Sequence, residues 1–345
     1  MKITLIATFS PPITGQSVAC DLLLENLKSE KNISVKVINF AKPDLVNNKF
    51  PILRIFRLFL MNFEIFFKAR KSDIIYFTPS ESYLGNLKDI LIYILLLGRL
   101  NKTFVHIHGG MGFKNLIFKN YFLRKINLFF LKKFKRILVL SKFHQNTFAE
   151  QGLTKLSIVK NFADKNIFYN DLAQEKQNTN VSYISNFISS KGYECVLKAA
   201  LLNNNPNIFF HFAGKFETEI DEKIFLEKIK SKSNIIYHGV VADEQKINLF
   251  KLTDIFVLPT NYPYEGQPIS ILEGYASSCA VITCAHSGIP DIFSDEVNGY
   301  YITFNDSNRL LMRIYELHND VELLASMKVT NFNYACEHFT TKIHL

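Results

Sequence analysis

Residues 254–273 read DIFVLPTNYPYEGQPISILE, which predicts a strand, a loop and the start of a helix. Residues 254–258 begin with an acid and continue as an apolar run up to a proline, a pattern typical of a buried parallel strand. Asn261 opens a turn, and Pro268 suits the first position of a helix that continues through residues 269–277. In open α/β sheets, ligands bind where parallel strands end, and the free N–H groups of a helix start favour phosphate.

Two carboxylates frame the predicted helix start, Glu265 in the loop and Glu273 inside the first turns of the helix. Two glutamates at this E-x7-E spacing often occur by chance, but the longer string Leu-Pro-Thr…Glu-Gly-Gln-Pro-Ile-Ser-Ile-Leu-Glu is far more specific. In its strand–loop–helix context this string resembles the motif of the family-4 glycosyltransferases, retaining enzymes with the GT-B fold. The alternative interpretation is a solvated helix start that carries two ordinary glutamates.

The resemblance implies an α/β protein of the GT-B fold, in which two Rossmann-like domains face each other across a cleft. Short apolar strands alternate with helical segments along the chain, which favours parallel sheets covered on both faces. We predict an acceptor-binding domain over residues 1–165 and a nucleotide-sugar donor-binding domain over residues 166–330, with a helix over 330–345 packing back on the first. The predicted strands cover residues 2–7, 33–40, 73–77, 103–108, 136–140, 156–159, 181–185, 207–213, 234–238, 254–258, 280–284 and 300–303.

The composition describes a globular protein with room for two domains, since 48% of its 345 residues are hydrophobic and 21% are charged. The five cysteines are scattered without a C-x-x-C pair, which indicates reduced thiols and no zinc site. The first residues predict a strand rather than a signal peptide, and no apolar stretch of about 20 residues predicts a membrane span. We therefore expect a cytoplasmic protein.

Charge is distributed unevenly, with 26 Lys and Arg against 10 Asp and Glu in residues 1–165 but 14 against 21 in the remainder. Residues 52–71 and 114–136 predict basic helices rich in aromatic residues, and residues 87–97 predict a buried helix between them. The basic stretches are either solvated helix faces or a surface that meets anionic lipid head groups. On the second interpretation the protein is peripheral at the inner face of the cell membrane.

In the first domain the resemblance implies two contacts with the donor. Gly15 and Gln16 follow the first predicted strand, in a loop that meets the donor's diphosphate or sugar in the resembled family. The loop lacks G-x-G-x-x-G, so a dinucleotide site is not supported. His108 ends a strand before a glycine run and is implied as a catalytic contact to the donor sugar. His106 faces the same side of that strand, which suits either a metal or the core.

In the second domain the resemblance implies that Lys191 and the helix start at 266–269 neutralise the donor's diphosphate. Asn186 stands where the family has an arginine, so it offers hydrogen bonds without charge. Gly239 lies where the family forms the wall that binds the base. The implied donor-binding residues of the helix start are Gly266, Gln267, Pro268 and Ile269.

The implied reaction is transfer of a sugar, with retention, from a UDP-sugar or a GDP-sugar to a hydroxyl of a glycan or lipid-linked acceptor. The setting is bacterial surface polysaccharide synthesis. Glu265 would hold the sugar hydroxyls and stabilise positive charge at the anomeric carbon, and Glu273 would bind the ribose. No cofactor or metal is expected, because the sequence has no D-x-D.

Two other functions remain open at this point. A non-catalytic GT-B partner subunit of another glycosyltransferase would keep the fold, but it has no need for both glutamates. A nucleic-acid-binding protein would suit the basic first half, but no RNA- or DNA-binding motif is present. We therefore expect no nucleic-acid partner.

Overall fold

The computed structural model describes residues 1–11, 14–40, 51–109, 111–170 and 177–344, without the side chains of 51–59 and 344. The described chain forms two compact units, Met1–Asn161 and Phe162–His344. They divide a few residues before the predicted domain boundary at 165/166. No described helix is long and apolar enough to cross a membrane.

The first unit is built on a parallel sheet in the order β2-β1-β3-β4-β5-β6. Its helices and strands are β1 (Lys2–Ala7), α1 (Gly15–Ser29), β2 (Ser34–Asn39), α2 (Pro51–Arg70), β3 (Ile74–Phe77), α3 (Tyr83–Leu95), β4 (Thr103–Ile107), α4 (Tyr121–Leu131), β5 (Arg136–Val139), α5 (Lys142–Ala149) and β6 (Leu156–Ile158). Every strand predicted for this part of the chain is confirmed, because most of them are short apolar runs bounded by polar or turn residues.

Polar residues start the helices of this unit. The side chains of Thr14, Ser82, Asn120 and Ser141 each accept a hydrogen bond from an N–H of the following first turn. Such caps satisfy donors that have no partner within the helix, so they fix where each helix begins. The predicted cap at Ser141 is confirmed.

Helix α3 differs from its prediction as a buried helix. Ile92, Tyr93 and Leu96 are buried against the sheet, but Leu87 and Leu91 on the other side are each more than half exposed. The sequence is apolar on both faces of this helix, and periodicity alone cannot show that one face is uncovered.

The second unit has a parallel sheet in the order β12-β11-β10-β7-β8-β9. Its helices and strands are β7 (Thr179–Ile184), α6 (Tyr193–Leu202), β8 (Ile208–Ala213), α7 (Glu219–Ile229), β9 (Ile235–Tyr237), α8 (Asp243–Leu252), β10 (Ile255–Leu258), α9 (Ile269–Ala276), β11 (Ala280–Thr283), β12 (Gly299–Tyr301), α10 (Ser307–Asn319), α11 (Val321–His338) and α12 (Thr341–His344). All of its strands match the predicted ones, and β10 and α9 are the strand and helix of the opening motif.

The C-terminal helices contribute to the core of the second unit. Asn331 of α11 is buried and donates hydrogen bonds to the carbonyl oxygens of Cys279 and Asn298, each at 2.8 Å. Phe339, just after α11, lies 6.4 Å from Tyr275 of α9 between ring centroids. These contacts fix the position of α9, the helix that carries Glu273.

Each sheet contains a point where the chain reverses its direction of travel. From β7 the chain proceeds through β8 and β9 on one side of the sheet, and then returns to β10 on the other side. From β1 it first forms β2 and then returns to β3. At such a switch point the loops after two neighbouring strands diverge and leave a crevice, which is where ligands bind in open α/β sheets.

Candidate active site

Lys191 and Glu265 meet at the switch point of the second sheet, where Nζ of the lysine lies 3.4 Å from Oε2 of the glutamate. Lys191 belongs to the loop after β7, and Glu265 belongs to the loop after β10. Their side chains are only 18% and 10% exposed. The pair is therefore shielded from water on most sides, which strengthens its electrostatic interaction with a charged ligand.

Gly192 brings these two loops together. Its φ is +82°, and a Cβ at this position would lie 2.3 Å from the carbonyl oxygen of Pro259 at the end of β10. Any other residue would be strained by the backbone conformation and would push the loops apart. Asn261 also donates its N–H to the carbonyl oxygen of Ser190 at 2.7 Å. The sequence Lys191-Gly192 thus places the lysine against the loop of Glu265.

Hydrogen bonds hold the loop of Glu265 on its other side. Thr260 Oγ1 donates to Glu265 Oε2 at 3.4 Å, and Ser287 Oγ donates to the carbonyl oxygen of Glu265 at 2.5 Å. The N–H of Gly288 donates to the carbonyl oxygen of Gly266 at 3.1 Å. Thr260 therefore contacts the carboxylate itself, and the loop after β11 holds the backbone that carries it.

The start of α9 has no side-chain cap. Pro268 is the N-cap, with a φ of −62°, and the helix begins at Ile269, one residue later than predicted. Gly266, Gln267, Pro268 and Ile269 are all buried. Pro268 itself offers no side-chain hydrogen bond to the first turn, and the N–H groups and dipole of a helix start favour an anion.

Glu273 lies in α9 and is 3% exposed, and its carboxylate pairs with Lys246 of α8. Burial raises the pKa of the Glu273 carboxyl, and the Lys246 ammonium offsets part of this rise. Lys246 was not predicted as a site residue, because it precedes Glu273 by 27 positions and lies on a different helix. No local pattern in the sequence identifies this pair.

Asn186 and Gly239 also lie at the C-terminal edge of the second sheet. Asn186 follows β7 and is exposed, and its carbonyl oxygen accepts a hydrogen bond from the hydroxyl of Tyr183 at 2.9 Å. Gly239 follows β9 with a φ of +69°, and its carbonyl oxygen accepts the N–H of Gly214 at 2.8 Å. No atom lies within 4 Å of the position that a Cβ on Gly239 would take, which leaves open space beside this backbone.

In the first unit, Gly15 and Gln16 form the start of α1 at the other switch point. Gln16 Nε2 donates to Thr78 Oγ1, which follows β3, at 2.8 Å. This bond joins the loop after β1 to the loop after β3. Gly15 is exposed, and no atom lies within 4 Å of its Cβ position. Residues 12 and 13 of the predicted loop lie outside the described residues.

His108 directly follows β4, beside Tyr76 of the neighbouring strand. The Tyr76 hydroxyl lies 2.7 Å from His106 Nδ1 and 3.3 Å from His108 Nε2, and the two imidazole rings are 4.1 Å apart between centroids. Burial raises the pKa of Tyr76 well above its usual value, so the phenol keeps its proton. The tyrosine thus orients both rings. His106 is buried in the core, as one of the two interpretations had it.

Residues 164–332 match the family model described as Glycosyl transferases group 1. These residues lie within the second unit, which is therefore similar to this family. The segment that matches includes the Lys191–Glu265 pair, the start of α9 and Glu273.

Curated relatives with related names are similar over part of the chain. The O-antigen chain mannosyltransferase C of Escherichia coli is 30% identical over 141 residues, which is 41% of this chain and 37% of that protein. The putative colanic acid biosynthesis glycosyltransferase WcaL of Salmonella typhimurium is 33% identical over 141 residues, 39% of this chain and 34% of that protein. The matches therefore span little more than a third of these relatives.

Solved structures are similar over the whole chain. Anabaena HepE, crystallised in complex with UDP and glucose, has a TM-score of 0.75 and 15% identity, and the match covers 100% of this chain and 97% of that one. At this identity the likeness concerns the fold, which confirms the predicted α/β class and the GT-B architecture.

Glu81 is a site residue of the first unit that the sequence interpretation missed. Its carboxylate accepts the N–H groups of Gly109 at 3.0 Å and Gly112 at 2.7 Å, in the glycine run after His108. A Cβ on Gly109 would lie 2.6 Å from a carboxylate oxygen of Glu81, and one on Gly112 would lie 2.3 Å from its Cβ. The glycines therefore leave room for Glu81, which fixes the segment beside His108.

The described side chains offer no cluster of three or more His, Cys, Asp or Glu that could hold a metal ion. The two histidines at the end of β4 both lie within hydrogen-bond reach of the Tyr76 hydroxyl. Two ion pairs of the second unit lie at the candidate site, Lys191–Glu265 and Lys246–Glu273.

Proposed function

We propose that this protein transfers a sugar, with retention of anomeric configuration, from a nucleoside-diphosphate donor to a hydroxyl of a glycan or lipid-linked acceptor. The observation that carries this proposal is the Lys191–Glu265 pair at the switch point of a glycosyl transferase domain. One cation and one carboxylate stand side by side there. They are opposite in sign to the charges that develop in the reaction. The lysine would meet the negative charge on the leaving diphosphate, and the glutamate would meet the positive charge on the anomeric carbon.

Lys191 and the start of α9 stabilise the leaving group in this proposal. As the bond to the sugar breaks, negative charge builds up on the diphosphate, and fixed donors aimed at that charge lower the barrier. Asn186 adds hydrogen bonds without charge, so most of the cationic contribution rests on Lys191. The ammonium now contacts Glu265, and a bound diphosphate would give it a second anionic partner.

Glu265 acts on the sugar. If the diphosphate binds at Lys191 as proposed, the carboxylate beside that lysine lies next to the anomeric carbon of the donor. A carboxylate there binds sugar hydroxyls and stabilises positive charge on the anomeric carbon in the transition state.

Glu273 binds the ribose of the donor. Lys246 holds its carboxylate in place and compensates for the cost of burying a charge. The buried carboxylate accepts hydrogen bonds from two vicinal hydroxyl groups, as a ribose offers. Gly239, with open space beside its backbone, allows the base to lie close to the chain.

The donor is a UDP-sugar, or alternatively a GDP-sugar, and the setting is bacterial surface polysaccharide synthesis at the inner face of the membrane. The crystal structure of HepE contains UDP, and the relatives are named for O-antigen and colanic acid synthesis. The comparisons contain nothing that favours a non-catalytic partner subunit.

Thermal stabilisation by nucleotide sugars tests this proposal directly. A ligand present at 100 times its Kd adds about 2.7 kcal/mol to the free energy of unfolding, which is a measurable rise in Tm. We expect such a rise with UDP-sugars or GDP-sugars, followed by release of the nucleoside diphosphate when acceptor is added. NMR of the product then reports its anomeric configuration. Binding without turnover on any lipid-linked acceptor would favour the partner-subunit alternative.

Replacing Glu273 with alanine should raise the KM for the donor roughly a hundredfold or more and change kcat little. The variant loses hydrogen bonds to the ribose, each contributing about 1.5–3 kcal/mol when one partner is charged, and these bonds are similar in ground and transition states. Initial-rate kinetics with varied donor measure the effect. Lys246→Met should raise the KM in the same direction, since it leaves the carboxylate but removes the partner that holds it in place. A large fall in kcat with unchanged KM would contradict the ribose role.

Removal of divalent metals should leave the rate nearly unchanged. In this proposal Lys191 and the N–H groups of α9 meet the charge of the diphosphate, so the reaction does not need a metal ion. Activity is measured in EDTA and again after Mg²⁺ or Mn²⁺ is restored in excess. Loss of activity in EDTA that either metal reverses would contradict the charge assignment to Lys191.

A further inference from the structure

Five apolar side chains lie on the solvent side of α3 and its C-terminal turn, and each is between 48% and 82% exposed. They are Leu84, Leu87, Leu91, Ile94 and Leu97. Their spacing of three or four residues places them on one face of the helix. The opposite face already supplies the core with Ile92, Tyr93 and Leu96. The five exposed side chains are therefore not needed for the core of the unit.

The neighbouring helices extend this apolar face on both sides. Both α2 and α4 contact α3, so α3 lies between them. On α2 the exposed side chains are Leu60, Phe63 and Phe67, and on α4 they are Tyr121, Phe122, Ile126 and Phe129. A soluble protein rarely leaves so many adjacent large apolar residues in water unless they meet a partner. We refer to these residues, with the five of α3, as the three-helix face.

The charges around the three-helix face are almost all positive. Exposed Arg124, Lys125, Lys132 and Lys133 lie on α4 or just after it. The ammonium groups of Lys125 and Lys133 lie 4.4 and 3.8 Å from the ring centroids of Tyr121 and Phe129. Long basic side chains that lie along aromatic rings can keep their charge at a head-group boundary while the rings enter the apolar phase.

Acidic side chains are nearly absent from the described part of these helices. Glu64 on α2 pairs with Lys68, and Asp89 on α3 is fully buried and pairs with Lys88. A second copy of the chain would bring an equally basic face, and the two would repel each other. An apolar centre with a basic border instead matches a bilayer that contains anionic lipids.

We propose that the three-helix face inserts its leucine and phenylalanine side chains into the surface of an anionic bilayer, with α3 at the centre of the contact. The attachment then combines insertion of apolar side chains with electrostatic attraction to anionic lipids. The basic stretches of the sequence by themselves suggest only the electrostatic attraction. This inference builds on the proposed lipid-linked acceptor but does not depend on catalysis.

A single tryptophan tests insertion, because the natural chain contains none. In Leu91→Trp the fluorophore lies at the centre of the three-helix face. Its emission should shift to the blue on addition of vesicles of phosphatidylglycerol and phosphatidylcholine. Ile220→Trp is the matched control, since Ile220 is exposed on α7 of the second unit and has acidic neighbours Glu219 and Asp221. Equal shifts in both proteins, or none in Leu91→Trp, would overturn the proposal.

A triple variant tests whether α3 carries the attachment. Leu87→Gln, Leu91→Gln and Ile94→Gln together keep good helix formers at exposed positions, so the unit should remain folded by circular dichroism. We expect vesicle affinity to fall at least tenfold. In about 1 M salt, where the Debye length is about 3 Å, the wild type should keep part of its binding and the variant none. The control is Ile220→Gln, Ile224→Gln and Leu226→Gln on α7, with unchanged binding.

Two further measurements separate this inference from the proposed function. Transfer to a soluble acceptor should be the same in the triple variant and the wild type, since none of the three side chains belongs to the candidate site. Sedimentation equilibrium should show a monomer with and without the substitutions. Unchanged vesicle binding in the triple variant, or a wild-type dimer that the substitutions dissociate, would overturn the proposal.

Discussion

Replacing Glu265 with glutamine should lower kcat by roughly a hundredfold to a thousandfold, the loss typical when one preorganised electrostatic contact to a transition state is removed. Glutamine has the same shape and can still accept the hydrogen bond from Thr260. The variant therefore loses the negative charge while the loop keeps its packing. Steady-state kinetics with saturating donor and acceptor measure the loss, and an unchanged Tm shows that it is catalytic.

Glu227→Gln is the matched control for this variant. Glu227 lies in the same unit and also contacts a lysine, Lys230. Unlike the Lys191–Glu265 pair, the side chains of Glu227 and Lys230 are 75% and 74% exposed. Screened pairs of this kind contribute little, so kcat should not change. If Glu265→Gln kept a rate near that of the wild type, the carboxylate would have no role in stabilising charge on the sugar.

The architecture was predictable because it is encoded locally. Most strands of the two sheets are short apolar runs, as the run at 255–258 before Pro259 illustrates, and most are separated from the next strand by a helix. Parallel α/β sheets follow from that alternation. The same local signals placed Glu265 and Lys191 at the carboxyl ends of strands, and the switch point between β7 and β10 then brings them together.

The partners of the site residues were not predictable, because they come from elements distant in sequence. Lys246 reaches Glu273 from the preceding helix, Tyr76 reaches His108 from the neighbouring strand, and Glu81 reaches Gly109 and Gly112 from the loop after β3. No spacing rule connects such pairs. They depend on the order of the strands and on how each helix lies across the sheet.

The misinterpreted helix α3 shows a different limit of sequence reasoning. Its apolar residues occupy both faces, so the pattern is the same as that of a helix buried on all sides. Only the tertiary structure shows that α2 and α4 lie beside it and that nothing in the described chain covers Leu87 and Leu91.

Replacing Lys191 with methionine should lower kcat/KM for the donor by roughly a hundredfold or more, because a partly buried cation that meets developing negative charge contributes several kcal/mol. Methionine keeps much of the apolar stem and removes only the charge. The loss should depend on the phosphates of the ligand. Titration calorimetry with the nucleoside diphosphate should show weaker binding, while the affinity for the corresponding nucleoside should be unchanged.

The two variants should have opposite effects on binding of the nucleoside diphosphate. Glu265→Gln removes the carboxylate that now pairs with Lys191 at 3.4 Å, so the ammonium is freer to meet a diphosphate and the affinity should stay equal or rise. Lys191→Met removes the ammonium itself, so the affinity should fall. Both variants lose catalysis, but for different reasons, since one lacks the charge that acts on the sugar and the other lacks the charge that acts on the leaving group. Equal weakening of diphosphate binding in both would mean that the pair acts only as a structural bridge between the loops after β7 and β10.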